Sequence, residues 1–390
     1  MVGRYLELGL RLGRHVDGFV DAYYGPVDLA RRVDSEPPVA PARLRDDASR
    51  LITDLDGGAD DAVIGPARRR WIRAQTVGLH ASARKLAGDD ISYVDEVATC
   101  YGVRPTMRDE AEFEAAHRAL DEVLPGDGGL AERSVSWREA QALPIDKLRP
   151  AIESFAEDLR ARTDAAFGLP DGEHVDFELV TDEPWSGFNY YLGDLRSRVA
   201  INTDLPVLSL SLAHLVAHEA YPGHHTEHTR KEVGLVRDRG QLEETIFLVG
   251  TPQCLLAEGL ADLGLELLVD DKEAFAASHF RPLGVAYDAE VVARVREAGE
   301  VLGSVRGNIG MLLHEEGLDP DDVVAYAMRW GLMSRERATK AVEFMTNPTW
   351  RAYISCYVEG LPLCRRFVGG DPARFERLIT EPMLPADLAA

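Results

Sequence analysis

The chain has 390 residues, 45% hydrophobic and 28% charged, the composition of a globular protein rather than a disordered or fibrous one. A chain of this length buries most of its unfolded surface and needs no disulfide or metal merely to stay folded. Its net charge of −23 repels phosphate backbones and anionic lipid, which argues against nucleic-acid and membrane partners.

The first 165 residues read as helices joined by Pro, Gly and Asp breaks. Residues 4–23 place Leu6, Leu8, Leu10, Leu12, Val16, Phe19 and Val20 on one wide helical stripe. SEPPVAPA (35–42) ends that region, and further helical patterns cover 43–55, 66–87, 108–123 and 146–166. The breaks DGGADD (56–61) and PGDGG (125–129) separate them. Arg68-Arg69-Arg70, the one dense basic cluster, reads as a solvated helix face.

Near 174 the texture changes. HVDFELV (174–180) alternates apolar and polar residues as a half-buried strand does, and 188–192 and 198–202 do so more loosely. Turn signals lie between them, Asp182-Glu183-Pro184 and Gly193-Asp194. The chain then reaches Asn202-Thr203-Asp204, an N-cap signal, and a helix over 206–221. The expected fold is mainly α, a large helical body with a small antiparallel sheet beside the helix that carries the histidines. Regions 1–165 and 166–390 read as one continuous unit.

Cys100, Cys254, Cys356 and Cys364 show no CxxC spacing, which suits reduced thiols in a reducing compartment. The N-terminus has charges every few residues and no apolar signal segment, and no run of 18 apolar residues occurs, so the expected setting is cytoplasmic.

Five of the eleven histidines fall in HLVAHEAYPGHHTEH (214–228). The helix over 206–221 is apolar on nearly every face, so His214, His218 and Glu219 need partners within it. In zinc peptidases two histidines at i and i+4 bind one metal, and the glutamate after the first serves as general base. Here His218-Glu219 supplies the first half, but Pro222 stands four residues on. Pro222 cannot donate to the His218 carbonyl, and Gly223 permits a left-handed turn, so the helix should break there. Two looped-out residues would let His224 take the second ligand position, with His225 as competitor. Pairing His214 with His218, leaving His224 and His225 for substrate, is a further reading. His228 is peripheral.

The apolar helix pattern over 253–269 carries Glu258 and Asp262 four apart on one face. Glu258 fits a third metal ligand. Asp262 fits either a carboxylate that orients a ligand histidine or a plain buried hydrogen-bonder. Glu243 and Glu244 lie on a more polar segment and are weaker ligand candidates.

HEAYPGHH (218–225) resembles the signature of domain-of-unknown-function family 885, whose members look like zinc metallopeptidases on the helical fold of Taq-type carboxypeptidases. RVAINTDLP (198–206), AEGLADLGLE (257–266), RGNIGMLLHEEGLDPDDVVAYAM (306–328) and NPTWRAYISCYVEG (347–360) resemble further segments of that family in the same order. Leu260, Gly310 and Cys356 depart from its pattern. The resemblance implies a zinc-dependent peptidase acting on a peptide or small amide.

In such an enzyme Glu219 moves the proton of the attacking water. Tyr357 is the first candidate donor to the oxyanion, with His225 or His314 behind it. Tyr357 reads equally as a core tyrosine. Arg306, in an uncharged stretch, suits the carboxylate of a C-terminal residue, as in a carboxypeptidase, or a structural ion pair. The strand leading to Asn202 offers an edge for strand addition of a peptide. Two rival readings remain at this level: a helical protein with other metal chemistry, such as thiol activation, and a binding protein with a structural or vestigial metal site.

Overall fold

The computed structural model describes residues 1–58, 61–183, 185–347 and 350–389. Ala59, Asp60, Pro184, Pro348, Thr349 and Ala390 lie outside them, and with them parts of the 56–61 break, the 182–184 turn signal and the 347–360 segment. The fold is mainly α with two small sheets.

The first helix, α1 (Val2–Gly13), buries Tyr5, Leu6, Leu8 and Leu12. It stops ten residues short of the expected end, and β1 (Val20–Tyr23) follows. Val20-Asp21-Ala22-Tyr23 fits a short strand as well as a helix end, and strand pairing decides the outcome. The partner of β1 is β5 (Ile246–Leu248), antiparallel, which ties the N-terminal region to the second half of the chain. The helices Pro41–Asp56 and 66–86 pack with α1 around Leu44, Leu51, Trp71, Ile72 and Leu79.

The second sheet consists of β2 (His174–Val180), β3 (Gly187–Gly193) and β4 (Arg196–Asn202). β4 is central, antiparallel to β3 and parallel to β2. Both of its edges are therefore paired, and the strand leading to Asn202 has no edge for a peptide. The free edge beside the histidines belongs to β3. Asn202 does not cap the next helix. Its side-chain amide donates to the carbonyls of Glu183 and Trp185 (2.8 and 3.0 Å), and the helix begins at Ser209 without a side-chain cap.

A long helix, α2 (Ile145–Phe167), packs against α3 (Ser209–Glu219) through Ile152, Phe155, Leu212, Ala213 and Val216. Burying each large side chain contributes roughly 1.5–3 kcal/mol, so the apolar faces of α3 anchor it and leave its polar side chains on the side that meets α5 (Pro252–Leu268). Helix α5 crosses α7 (Ile354–Val368) at close range. A Cβ on Gly259 would stand 2.4 Å from the Gly360 carbonyl oxygen. Glycine at both positions thus lets two backbones touch, and this brings Glu258 beside the tyrosines at the start of α7. The four cysteines are free and buried. Among the described residues no helix is long and apolar enough to cross a membrane.

Candidate metal centre

Helix α3 ends at Glu219. Ala220 leaves helical angles (φ −121°, ψ −83°), and the chain passes through a cis Tyr221–Pro222 bond before α4 (His224–Lys231) begins. The left-handed turn expected at Gly223 is not formed. Its φ is −76°, and glycine is needed instead because a Cβ would stand 1.9 Å from the His218 carbonyl oxygen.

This break brings Nε2 of His218 and Nε2 of His224 within 3.2 Å. Glu258 sets Oε2 3.4 Å from His218 Nε2 and Oε1 3.8 Å from His224 Nε2. Tetrahedral zinc with bonds of about 2.0–2.1 Å spaces neighbouring ligand atoms by roughly 3.3 Å, which the 3.2 Å between the histidines and the 3.4 Å from His218 to Glu258 Oε2 match. Glu258 Oε2 is buried with no hydrogen-bond partner among the described residues. Such an oxygen is costly unless something positive takes it. On both counts the donor set fits a zinc ion.

Asp262 orders the first histidine. Its Oδ1 accepts from His218 Nδ1 (2.9 Å) and from His214 Nε2 (3.2 Å). His218 Nε2 is thereby left facing His224 and Glu258. His214 ends on Asp262 and remains partly exposed, so it stands one step behind the cluster. Burial opposes charge on His218, but its hydrogen bond to Asp262 and the nearby charge of Glu258 hold it well above the ordinary imidazole range. Burial, reinforced by the charge of His218, pushes His224 down to about 4.

Glu219 offers an atom within 4.8 Å of atoms of both histidines. Burial pushes its carboxyl up to about 7; His218 opposes this, and Glu258 and Asp262 reinforce it. The carboxylate lies against the open edge of β3, where a Cβ on Gly187 would come within 3.2 Å of Oε1.

Sequence reasoning missed Tyr353. Its hydroxyl donates to Glu258 Oε1 (2.8 Å) and lies 3.2 Å from the hydroxyl of Tyr357. Tyr357 therefore reaches the glutamate through Tyr353, and it is 38% exposed rather than core. The one-turn spacing of the two tyrosines was the available signal. Asp21 was also missed. It is the extra residue of a bulge between Val20 and Ala22 on β1, and burial, with Glu258 and Glu219 nearby, pushes it up to about 8.

The structure does not bring His225 to the cluster. It is fully buried, with Nδ1 2.8 Å from Ser197 Oγ and Nε2 2.8 Å from Glu173 Oε2. Glu173 also accepts from Tyr221 (2.6 Å) and from Arg160 (2.6 Å). This network pins the start of α4 to β4. His314 lies elsewhere, with Nε2 2.7 Å from the Met345 carbonyl. His228 stacks on Tyr191. Arg306 makes no ion pair among the described residues. It lines a cleft of about 640 Å³ together with Asp262 and Tyr357.

Glu243 is committed to Arg68 by two bonds of 2.6 and 2.7 Å. Arg70 is exposed and pairs with Asp387, whereas Arg68 and Arg69 are partly buried, so the basic cluster is a solvated face only in part. Glu244 sits in a buried group with Lys231 and Glu227 on the other side of α4. Burial, with Glu243 and Glu227 nearby, pushes it up to about 7, against Lys231 and Arg68. The folded chain thus holds a proton that the unfolded carboxyl, at 4.5, releases. This contribution is complete below pH 4.5 and is lost as pH rises through 7. Glu244→Gln should therefore raise the melting temperature at pH 8 relative to the parent by more than at pH 5. Equal differences at the two pH values would contradict the assignment.

No protein-family model matches the chain, and no curated protein matches it. Among solved structures, 93% of the chain aligns with 64% of a candidate lipoprotein from Colwellia psychrerythraea, at TM-score 0.53 and 15% identity. A candidate lipoprotein of unknown function from Shewanella oneidensis aligns with the whole chain over 72% of its own length, at TM-score 0.46 and 14% identity. The first likeness is one of fold alone. The chain spans less than two thirds of that Colwellia protein.

Proposed function

We propose that the chain is a zinc-dependent peptidase that hydrolyses peptide bonds in short peptides, acting as an exopeptidase from the carboxyl end. The observation that carries this reading is the convergence of His218 Nε2 and His224 Nε2, 3.2 Å apart, on the Glu258 carboxylate, whose Oε2 lies 3.4 Å from His218 and whose Oε1 lies 3.8 Å from His224, bordered by Glu219. The resemblance of HEAYPGHH to family 885 points the same way.

A zinc ion held by His218, His224 and Glu258 would polarise the scissile carbonyl and acidify the attacking water. Glu219 accepts a proton from that water and returns it to the leaving nitrogen, so amide and water become carboxylate and amine. Tyr357 offers its hydroxyl to the oxyanion. Arg306, exposed and free of acid partners among the described residues, pairs with the carboxylate of the terminal residue. The four buried free thiols support a cytoplasmic setting.

Protein purified without chelator should carry about one equivalent of zinc by elemental analysis and cleave short peptides. Chelation should abolish cleavage and added zinc restore it. Zinc uptake should weaken as pH falls, because a proton on His218 competes with the metal. Absence of bound transition metal together with no uptake on titration would sink the reading.

A further inference from the structure

The cleft that reaches Asp262 and Tyr357 is also lined by Arg108, which no part of the mechanism uses. Its Nε is buried without a hydrogen-bond partner, and its guanidinium makes no ion pair among the described residues. Glu359 lies in its field without bonding to it.

The position of Arg108 is built. The buried side chain of Asn308 accepts from its backbone N–H (2.8 Å) and donates to its carbonyl (3.0 Å). Asn308 and Arg306 both lie on α6 (Val305–His314), two residues apart. One helix thus carries one arginine of the cleft and clamps the loop that carries the other. Near Arg306 stands Arg138, with Arg337 also close to it, and both lack acid partners among the described residues. Burial, with Arg337 and Arg306 nearby, pushes Arg138 below its ordinary range.

The composition makes this arrangement notable. Acids outnumber Lys and Arg by 66 to 43, so an arginine finds a carboxylate easily. Two guanidiniums on one cleft are nevertheless left without one. Of the cleft carboxylates, Glu300 is bonded to Arg365 and Asp262 to the histidines. Glu112 and Glu297 are exposed and make no ion pair with Arg108 or Arg306.

A terminal α-carboxylate occupies one guanidinium in a forked pair and leaves the other vacant. We propose that Arg108 receives a second carboxylate, so that the preferred substrate is a peptide or amide whose terminal residue is dicarboxylic, glutamate or aspartate. This rests on the peptidase reading for its chemistry, but the subsite can be tested by binding alone.

The probes are N-acetylglutamate and N-acetylglutamine, which differ only in the side-chain charge. Calorimetry on the protein as purified should show the glutamate analogue binding about 10- to 100-fold more tightly, the span of one charge-assisted pair. Arg108→Gln should shrink that ratio to about twofold, whereas Arg306→Gln should weaken both analogues together. Equal affinities in the parent, no binding of either analogue, or an Arg108→Gln ratio like the parent's would overturn the subsite. Discrimination by a parent that cleaves no peptide would sink the peptidase reading and leave the subsite standing.

Discussion

Glu219→Gln should yield a protein that is folded, fully loaded with zinc and nearly inactive. The substitution keeps size and hydrogen-bonding capacity, but an amide cannot accept the proton of the attacking water. Loss of a general base costs on the order of 10²–10⁴ in rate. Zinc occupancy should hold, because the three donor atoms belong to His218, His224 and Glu258 and none is altered. The melting temperature should not fall. Burial disfavours charge on the parent carboxyl, so a neutral amide of the same shape adds no desolvation cost. Measuring kcat/KM on a panel of short peptides, with zinc content and melting temperature on the same samples, separates the readings. A structural metal site has no activity to lose, and a thiol-activating site depends little on Glu219. A variant that cleaves the panel at the parent rate would refute the mechanism even with the metal in place.

The parts of this site visible in the sequence were those encoded over short distances. Proline four residues after His218 forbids continuation of the helix, and that local rule suffices to suggest a break before His224. Glu258 and Asp262 were visible because two acids at one-turn spacing on an apolar helix demand a partner. The residues that escaped depend on contacts across the fold. His225 looked like a second catalytic histidine because it adjoins His224, but its partner Glu173 lies 52 residues away. Tyr353 touches Glu258 across the α5–α7 crossing, and only the glycine-to-glycine approach of the two helices makes that contact possible. The same limit explains β1. The pattern over 20–23 suits a helix end and a strand alike, and the pairing with β5, more than 220 residues on, decides between them. Strand alternation located β2, β3 and β4 but carried no information on their order, which is why the central strand was read as an edge.

His224→Ala and Glu258→Ala should each strip the metal, and His225→Ala should not. Each of the first two removes one corner of the donor triangle, and two remaining ligands do not hold zinc against a competing chelator. Glu258→Ala also takes away one of the two acids that raise the basicity of His218, and it removes the carboxylate to which the Tyr353 hydroxyl donates. Asp262→Ala should be milder, weakening zinc by ~10–100-fold, because Asp262 orients His218 without occupying a corner. His225→Ala has a different signature. It leaves Glu173 bonded to Tyr221 and Arg160 but deprived of one buried partner, a loss that typically costs about 1–3 kcal/mol. The melting temperature should drop while zinc stoichiometry stays near one. Metal analysis after gel filtration, with thermal melts of the same four variants, reads both quantities. Zinc retained by His224→Ala and lost by His225→Ala would move the second ligand to the buried histidine and undo the assignment. Full occupancy in Glu258→Ala would mean that Glu219 holds the metal, and the base would then have to be sought at Asp21.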